Sequence, residues 1–313
     1  MGKYCFGIDI GGTTVKLGLF EGTDRLLEKW EIPTRTEDQG SHILPDIAAS
    51  IEEKISEKQL KKEDLIGIGL DTPGPVEKNG FIHRAVNLNW EEFNLEETLT
   101  ALTGLKVKAG NDATVAALGE LYAGGMEGYQ DVVLVTLGTG IGGGIVTGGQ
   151  LLYGSKGGGA EIGHMHINDD ETECCGCGNK GCFEQYGSAT GLVRLAKKKL
   201  SESKADSALR KTEVTAKAVF DAVKEQDPLA MEIAEEYGRY LGKGLAMIAA
   251  VVDPQAFIIG GGVSKAGDIL LSYIKKYYGQ YAFHINRDVD FRLARLGNDA
   301  GIYGAARLLS GEN

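Results

Sequence analysis

Three glycine-rich turns, each following a short apolar run, constrain this chain more than any other feature. They are Gly11-Gly12-Thr13-Thr14 after residues 4–10, Gly138-Thr139-Gly140-Ile141-Gly142-Gly143-Gly144 after 131–137, and Gly260-Gly261-Gly262 after 256–259. Glycine lets backbone N–H groups converge on a ligand with no side chain in the way, which suits phosphate oxygens. The 46 glycines among 313 residues are roughly twice ordinary usage, while prolines number 6. No low-complexity tract absorbs that excess, so it reads as turns that bind rather than as linker. Thr13, Thr14 and Thr139 add hydroxyl donors, and Asp9 at the end of the first run could hold Mg²⁺ beside a bound phosphate.

The remaining periodicity predicts an α/β chain. The first turn joins two strands, because Val15, Leu17 and Leu19 alternate with Lys16 and Gly18. Ile43, Ile47, Ile51 and Ile55 recur every fourth residue and predict a helix over 41–60. A strand over 65–70 ends at Thr72-Pro73-Gly74-Pro75, and Asn111-Asp112 opens a helix through Ala123 with Asp112 as its N-cap. Helices are expected over 188–200, 214–225, 228–252, from the third glycine turn to about Tyr278, and over 298–309; residues 201–211 read as a solvated connection. The string Gly138-x-Gly140-x-x-Gly143 fits the dinucleotide fingerprint by letter, but that fingerprint must open a helix. Here it runs into Gly144-Ile145-Val146-Thr147-Gly148, which favours a strand. No G-x-x-x-x-G-K-[ST] element is present either.

Composition excludes several classes. With 33 Lys+Arg against 44 Asp+Glu the net charge is −11, which argues against a broad nucleic-acid footprint. The most apolar stretch, 245–252, stops at Asp253, short of the ~20 residues that span a bilayer. No signal-like segment develops before Asp9. Of five cysteines, Cys5 stands alone while Cys174, Cys175, Cys177 and Cys182 crowd together. An odd count with one tight cluster reads as metal binding in a reducing compartment, hence a cytoplasmic protein.

Together these motifs resemble a known family. Asp9-Ile10-Gly11-Gly12-Thr13, the turn around Gly138-Thr139-Gly140 and Gly260-Gly261-Gly262 look like the phosphate and adenosine motifs of sugar kinases on the actin/hexokinase-like ATPase fold. Glu161-Ile162-Gly163-His164, followed by Cys175-Gly176-Cys177-Gly178-Asn179-Lys180-Gly181-Cys182-Phe183-Glu184, resembles the signature of the ROK branch, which covers bacterial glucokinases, related sugar kinases and sugar-responsive repressors. The resemblance implies a two-domain ribonuclease H-like fold with a ligand cleft, residues 1–110 plus 298–313 forming the smaller domain and 111–297 the larger.

The resemblance also implies roles. Asp9, Gly11, Gly12, Thr13, Thr14, Gly138, Thr139, Gly140, Gly261 and Gly262 would hold ATP with Mg²⁺. Gly74, Asn87, Asn111, Asp112, Glu161, His164 and Glu184 would bind the sugar; Val86 stands where the family often has proline. Asp112 would accept the proton of the reacting hydroxyl, although a helix cap is an equally ordinary use of an aspartate there. His164, Cys175, Cys177 and Cys182 supply the inventory of a closed structural Zn²⁺ site, leaving Cys174 spare. His164 could serve twice, one ring nitrogen on zinc and the other on a hydroxyl, and His166 reads as structural.

The expected function is therefore ATP-dependent phosphorylation of a hexose, glucose first, by a homo-oligomer (dimer or tetramer) with no nucleic-acid or membrane partner. The alternatives within that class are N-acetylmannosamine, N-acetylglucosamine or another hexose; fructose fits less, because fructokinases of the family tend to carry a Cys-Pro-Phe-His type element. A repressor of the same family would need a helix-turn-helix segment before the first glycine turn, which here begins at Gly11.

Overall fold

Residues 4–10 are buried on both sides, and that makes their strand the centre of a sheet. In the computed structural model, which describes residues 2–310, β1 (Tyr4–Ile10) turns Phe6, Ile8 and Ile10 to one core and Cys5 to another. It pairs antiparallel with β2 (Thr14–Glu21), which pairs antiparallel with β3 (Arg25–Pro33). On its other edge β1 runs parallel to β4 (Leu65–Thr72). A small hairpin of β5 (Phe81–Ile82) and β6 (Phe93–Asn94) follows, and then β7 (Val107–Asn111), parallel to β4. The sheet order is β3-β2-β1-β4-β7.

The isoleucine repeat builds the helix Ile43–Glu57, whose Ile43, Ile47 and Ile51 are buried in the first core. The opposite face is covered by the helix Ala300–Leu308, which brings Ile302 and Ala306 onto Cys5 and Phe20. That helix can approach only because glycine faces it. A Cβ at Gly7 would overlap the Ile302 carbonyl and one at Gly69 the Ala305 carbonyl. The helix Asp112–Ala123 meets it the same way, Gly119 against Ala300 and Gly304 against Val115. Buried Glu120 in that helix accepts the Arg295 and Leu296 amides at 2.9 and 2.8 Å, fixing where the chain returns.

The second sheet repeats the device. β8 (Val132–Leu137), β9 (Ile141–Thr147), β10 (Gln150–Leu151), β11 (Ala256–Gly260) and β12 (Asp290–Leu293) lie in the order β10-β9-β8-β11-β12. β8, β11 and β12 are parallel to one another. Helices Ala189–Glu202, Ala216–Lys224, Pro228–Val252 and Asp268–Tyr281 accompany them. Asp227 caps the long third helix by accepting from Ala230 N, and Pro228 occupies its first turn. Gly238 and Gly242 in that helix face Tyr273 and Tyr277, too close for any side chain.

The chain divides into two compact units at places other than those expected. The first runs to Gln130 and takes back Gly144–Ala160 and everything from Arg295; the second is Asp131–Gly143 with Glu161–Ala294. Residues 111–130 thus belong with the first sheet, because the helix Asp112–Ala123 is packed on the C-terminal helix. The second glycine turn is shorter than expected, since β9 begins at Ile141. The connection over 201–211 is not wholly solvated: Leu209 is buried, and Ser207 Oγ donates to Asp227 Oδ2 at 2.8 Å. Among the described residues no helix is long and apolar enough to cross a membrane.

Candidate active site

In the first unit the ends of neighbouring strands gather the polar residues. Asp9 on β1 is in register with Lys16 on β2 and with Asp71 on β4, and Thr72 is in register with Asn111 on β7. The C-terminal edge of a parallel array is where α/β sheets bind ligands. The hairpin turn beyond Asp9 is held by Gly11 N donating to Thr14 O at 3.0 Å and by Thr34 Oγ1 donating to Gly11 O at 2.7 Å. Gly12 and Thr13 at its tip are exposed, leaving their amides open to a ligand, and Asn87 lies beside Gly12.

Lys16 and Asp71 take part although the motifs did not single them out. Lys16 Nζ donates to Asp9 Oδ2 at 2.8 Å and to the Asn298 carbonyl at 3.1 Å. It reads in sequence as the polar half of a strand alternation, and only strand pairing aims it at Asp9. Asp71 is completely buried, and neither of its carboxylate oxygens has a hydrogen-bond partner. Burial, then the charges of Asp9 and Asp112, push its carboxyl well above the usual range, with Lys16 opposing. In sequence it is only a polar residue at the end of the expected strand over 65–70.

Asn111, not Asp112, is the helix cap. Asn111 Oδ1 accepts from Thr114 N at 3.2 Å, and its Nδ2 donates to the Gly74 carbonyl at 3.1 Å. Gly74 has φ 97° and sits where a Cβ would be 2.5 Å from the Arg84 carbonyl, so glycine is required there. Asp112 is the first residue of the helix, its Oδ1 accepting from Ala113 N at 2.7 Å. The expected capping role therefore passes to its neighbour, because the chain leaves the strand at Asn111, whose φ and ψ are −70° and 144°.

In the second unit the other two glycine turns stand at the ends of adjacent parallel strands, β8 and β11. Gly138 N donates to the Gly140 carbonyl at 3.1 Å, and Thr139 is exposed at the tip. Gly261, at φ 81°, abuts the Leu137 backbone so closely that a Cβ would lie 2.5 Å from Leu137 N. The Gly138–Gly140 turn leads into a strand, as its letters require.

The cysteine loop forms the most specific constellation. The ligand atoms of His164, Cys175, Cys177 and Cys182 all lie within 4.8 Å of one another. Cys177 and Cys182 sulfurs are 3.6 Å apart and Cys175 Sγ is 3.8 Å from His164 Nδ1. A tetrahedral zinc with Zn–S bonds of about 2.3 Å needs S···S edges of about 3.8 Å, so these residues fit such an ion. Burial pushes the Cys175 and Cys182 thiols up, while the Asn179 amide draws Cys177 down, so metal binding would have to release protons. Cys174 is exposed and outside the cluster. His166 is outside it too, bonded to the Lys180 carbonyl and to Asp169 at 2.8 Å each.

The acids flank this cluster. His164 Nε2 lies 4.0 Å from Glu161 Oε2 while its Nδ1 faces Cys175, so the two ring nitrogens look in the two directions a shared role needs. Glu184 Oε1 accepts from Cys175 Sγ at 2.8 Å. Behind the loop, Arg194 grips Glu171 and stacks 5.0 Å from the Tyr186 ring centre, while Tyr186 Oη donates to Glu171 at 2.6 Å. Burial opposes ionisation of Glu171, but Arg194 and Tyr186 prevail and hold its carboxyl at about 2, below its usual 4.5. A carboxylate lowered on folding stabilises above its unfolded pKa and loses that contribution as pH falls through the folded value. Wild type is therefore expected to be more stable to unfolding than Arg194→Met by about 1–3 kcal/mol near neutrality. That gap should close between pH 4.5 and about 2 in thermal melts; a pH-independent gap would show that Arg194 acts through packing alone.

Known proteins are similar to this chain over nearly its whole length. A glucokinase of Halalkalibacterium halodurans is 41% identical over 98% of this chain and 95% of its own length. An N-acetylmannosamine kinase of Escherichia fergusonii is 32% identical over 97% of this chain and 98% of its own. The crystal structure of a ROK family glucokinase from Streptomyces griseus, in complex with glucose and AMPPNP, superposes with a TM-score of 0.75 at 34% identity, covering 97% of this chain and 98% of that one. The fold is that of the actin/hexokinase-like ATPases. The model of the ROK family matches residues 5–312, nearly the whole length over which the glycine turns and the cysteine loop are spread, and the chain belongs to that family.

Proposed function

We propose that this chain is an ATP-dependent hexose kinase that phosphorylates glucose at its 6-hydroxyl. The observation that carries the reading is the placing of Asp9 and Asn111 at the ends of β1 and β7 in one parallel array, with Asp112 opening the helix that follows, beside an open glycine turn. Asp112 accepts the hydroxyl proton as the oxygen attacks the terminal phosphorus of ATP, while the bond from that phosphorus to the bridging oxygen breaks and ADP leaves with that oxygen. Asn111, Gly74, Glu161, His164 and Glu184 bind sugar hydroxyls, with Asn87 alongside. Phosphoryl transfer asks for positioning and charge stabilisation more than covalent help. The glycine-turn amides at Gly11, Gly12, Gly138, Gly261 and Gly262, and the hydroxyls of Thr13, Thr14 and Thr139, supply donors to phosphate and adenosine.

Asp9, one oxygen of which is bonded to Lys16, would hold Mg²⁺, whose chemistry is to neutralise charge on the phosphates. His164, Cys175, Cys177 and Cys182 would hold Zn²⁺. Four protein ligands would leave such an ion no open position for water, so these residues would use it to fix the loop bearing Glu184. The thiol cluster suits a reducing compartment, which supports a cytoplasmic homo-oligomer feeding glycolysis.

A hexose panel assayed with ATP and Mg²⁺ tests the reading. Glucose is expected to give the highest kcat/KM. Faster turnover of N-acetylmannosamine, the acceptor named by one relative, would change the substrate and keep the class. No phosphoryl transfer to any hexose would reject it.

A further inference from the structure

Gly140 belongs by its letters to a phosphate loop, yet what lies against it is an acid. A Cβ at Gly140 would overlap Glu184 Oε2, and the next amide, Ile141 N–H, donates to that same oxygen at 3.4 Å. The other oxygen of Glu184 accepts from Cys175, so one carboxylate joins the cysteine loop to the second glycine turn. A second close approach lies alongside: a Cβ at Gly163, in the turn that carries Glu161 and His164, would overlap the Ile141 carbonyl. Gly138 differs, for a Cβ there would meet no protein atom within 4 Å. Neither Gly140 nor Gly163 has a positive φ, so a side chain would be opposed by close approach and not by backbone conformation: at Gly163 it would meet fixed backbone, and at Gly140 it would displace the Glu184 carboxylate.

We infer that Gly140 is a positioning residue for the sugar acceptor rather than for the nucleotide. Its missing side chain seats Glu184 on the Ile141 amide, and Gly163 seats the Glu161–His164 turn on the Ile141 carbonyl. The second glycine turn thereby sets where the acceptor-binding side chains stand, while Gly138 is the position kept clear for phosphate. The inference rests on the hexose-kinase reading for the identity of the acceptor, but the docking itself does not.

Steady-state kinetics of Gly140→Ala and Gly138→Ala, with glucose and ATP varied in turn, test it. An amide bond to a charged group is worth about 10–100-fold in an equilibrium constant. Gly140→Ala is expected to raise the glucose KM by about that factor and to leave the ATP KM within about twofold; Gly138→Ala should do the reverse. Amide exchange at Ile141 is expected to quicken at least about tenfold in Gly140→Ala, a readout independent of catalysis. An ATP-specific KM effect of Gly140→Ala, or unchanged exchange at Ile141, would overturn the inference. A Gly140→Ala chain that fails to fold would overturn it too, since the obstructing atom is the free end of a side chain. If wild type phosphorylates no hexose, the functional reading fails, and the exchange measurement still decides the docking.

Discussion

Asp112→Asn is expected to lower kcat by ~10²–10⁴-fold, the usual worth of a positioned general base. That is ~3–5 kcal/mol in the barrier. The substitution is clean because the helix cap is the Asn111 side chain, bonded to Thr114 N and Oγ1 at 3.2 Å. An amide at position 112 can still accept from Ala113 N through its carbonyl, so thermal stability should change little. It also removes one of the two negative charges that raise the Asp71 carboxyl, which favours the folded state if anything. Glucose binding, measured by calorimetry without turnover, should persist through Glu161, His164, Glu184 and Asn111. Near-normal kcat would move the base elsewhere; loss of binding would make Asp112 a recognition residue first.

Purified protein is expected to carry about one Zn²⁺ per chain, and Cys177→Ser to lose it. Cys177 is the most telling ligand to remove, since it is exposed and its loss leaves no cavity in a core. Without the ion, the segment from Cys175 to Cys182 is held by its own turns, by His166 on the Lys180 carbonyl and Ile167 N on the Gly181 carbonyl at 2.8 Å each, and by Gln185 on Cys182 N at 3.0 Å. Glu184 follows directly on that segment, so glucose affinity should fall about 10–100-fold, the scale on which disturbed surroundings of a metal act. The Glu171–Arg194–Tyr186 anchor lies on the far side of the loop and should preserve the overall fold. Metal-free protein with unaltered glucose binding would separate the cluster from the acceptor site.

Local chemistry was legible wherever a residue's neighbours in sequence are its neighbours in space. The isoleucine repeat read as a helix folds as Ile43–Glu57, and the run opened by Pro228 ends at Val252 as its apolar pattern does. The rejection of a dinucleotide fingerprint at Gly138 holds because the following glycines enter β9. The four side chains expected to hold a metal were named from spacing and family resemblance, and their ligand atoms lie within 4.8 Å of one another, as the glycine-punctuated loop allows.

Tertiary structure decided the rest. Glycine in sequence is only permission, and the fold spent much of it outside the three turns, at Gly7, Gly69, Gly119 and Gly304, where the C-terminal helix presses on the sheet and on its neighbouring helix. The unit boundaries moved for the same reason, because packing of Asp112–Ala123 on Ala300–Leu308 joins segments far apart in the chain. Asp71 looks in sequence like any polar residue ending a strand. Parallel pairing of β1 with β4 sets it against Asp9 and away from water, where a carboxylate without a partner is costly. The sequence by itself determined which groups can do chemistry and which segments are strands, helices and turns, for these depend on side-chain identity and period. Which of those groups face one another, and which glycines bind rather than pack, depended on strand register and helix approach, distances that no local pattern contains.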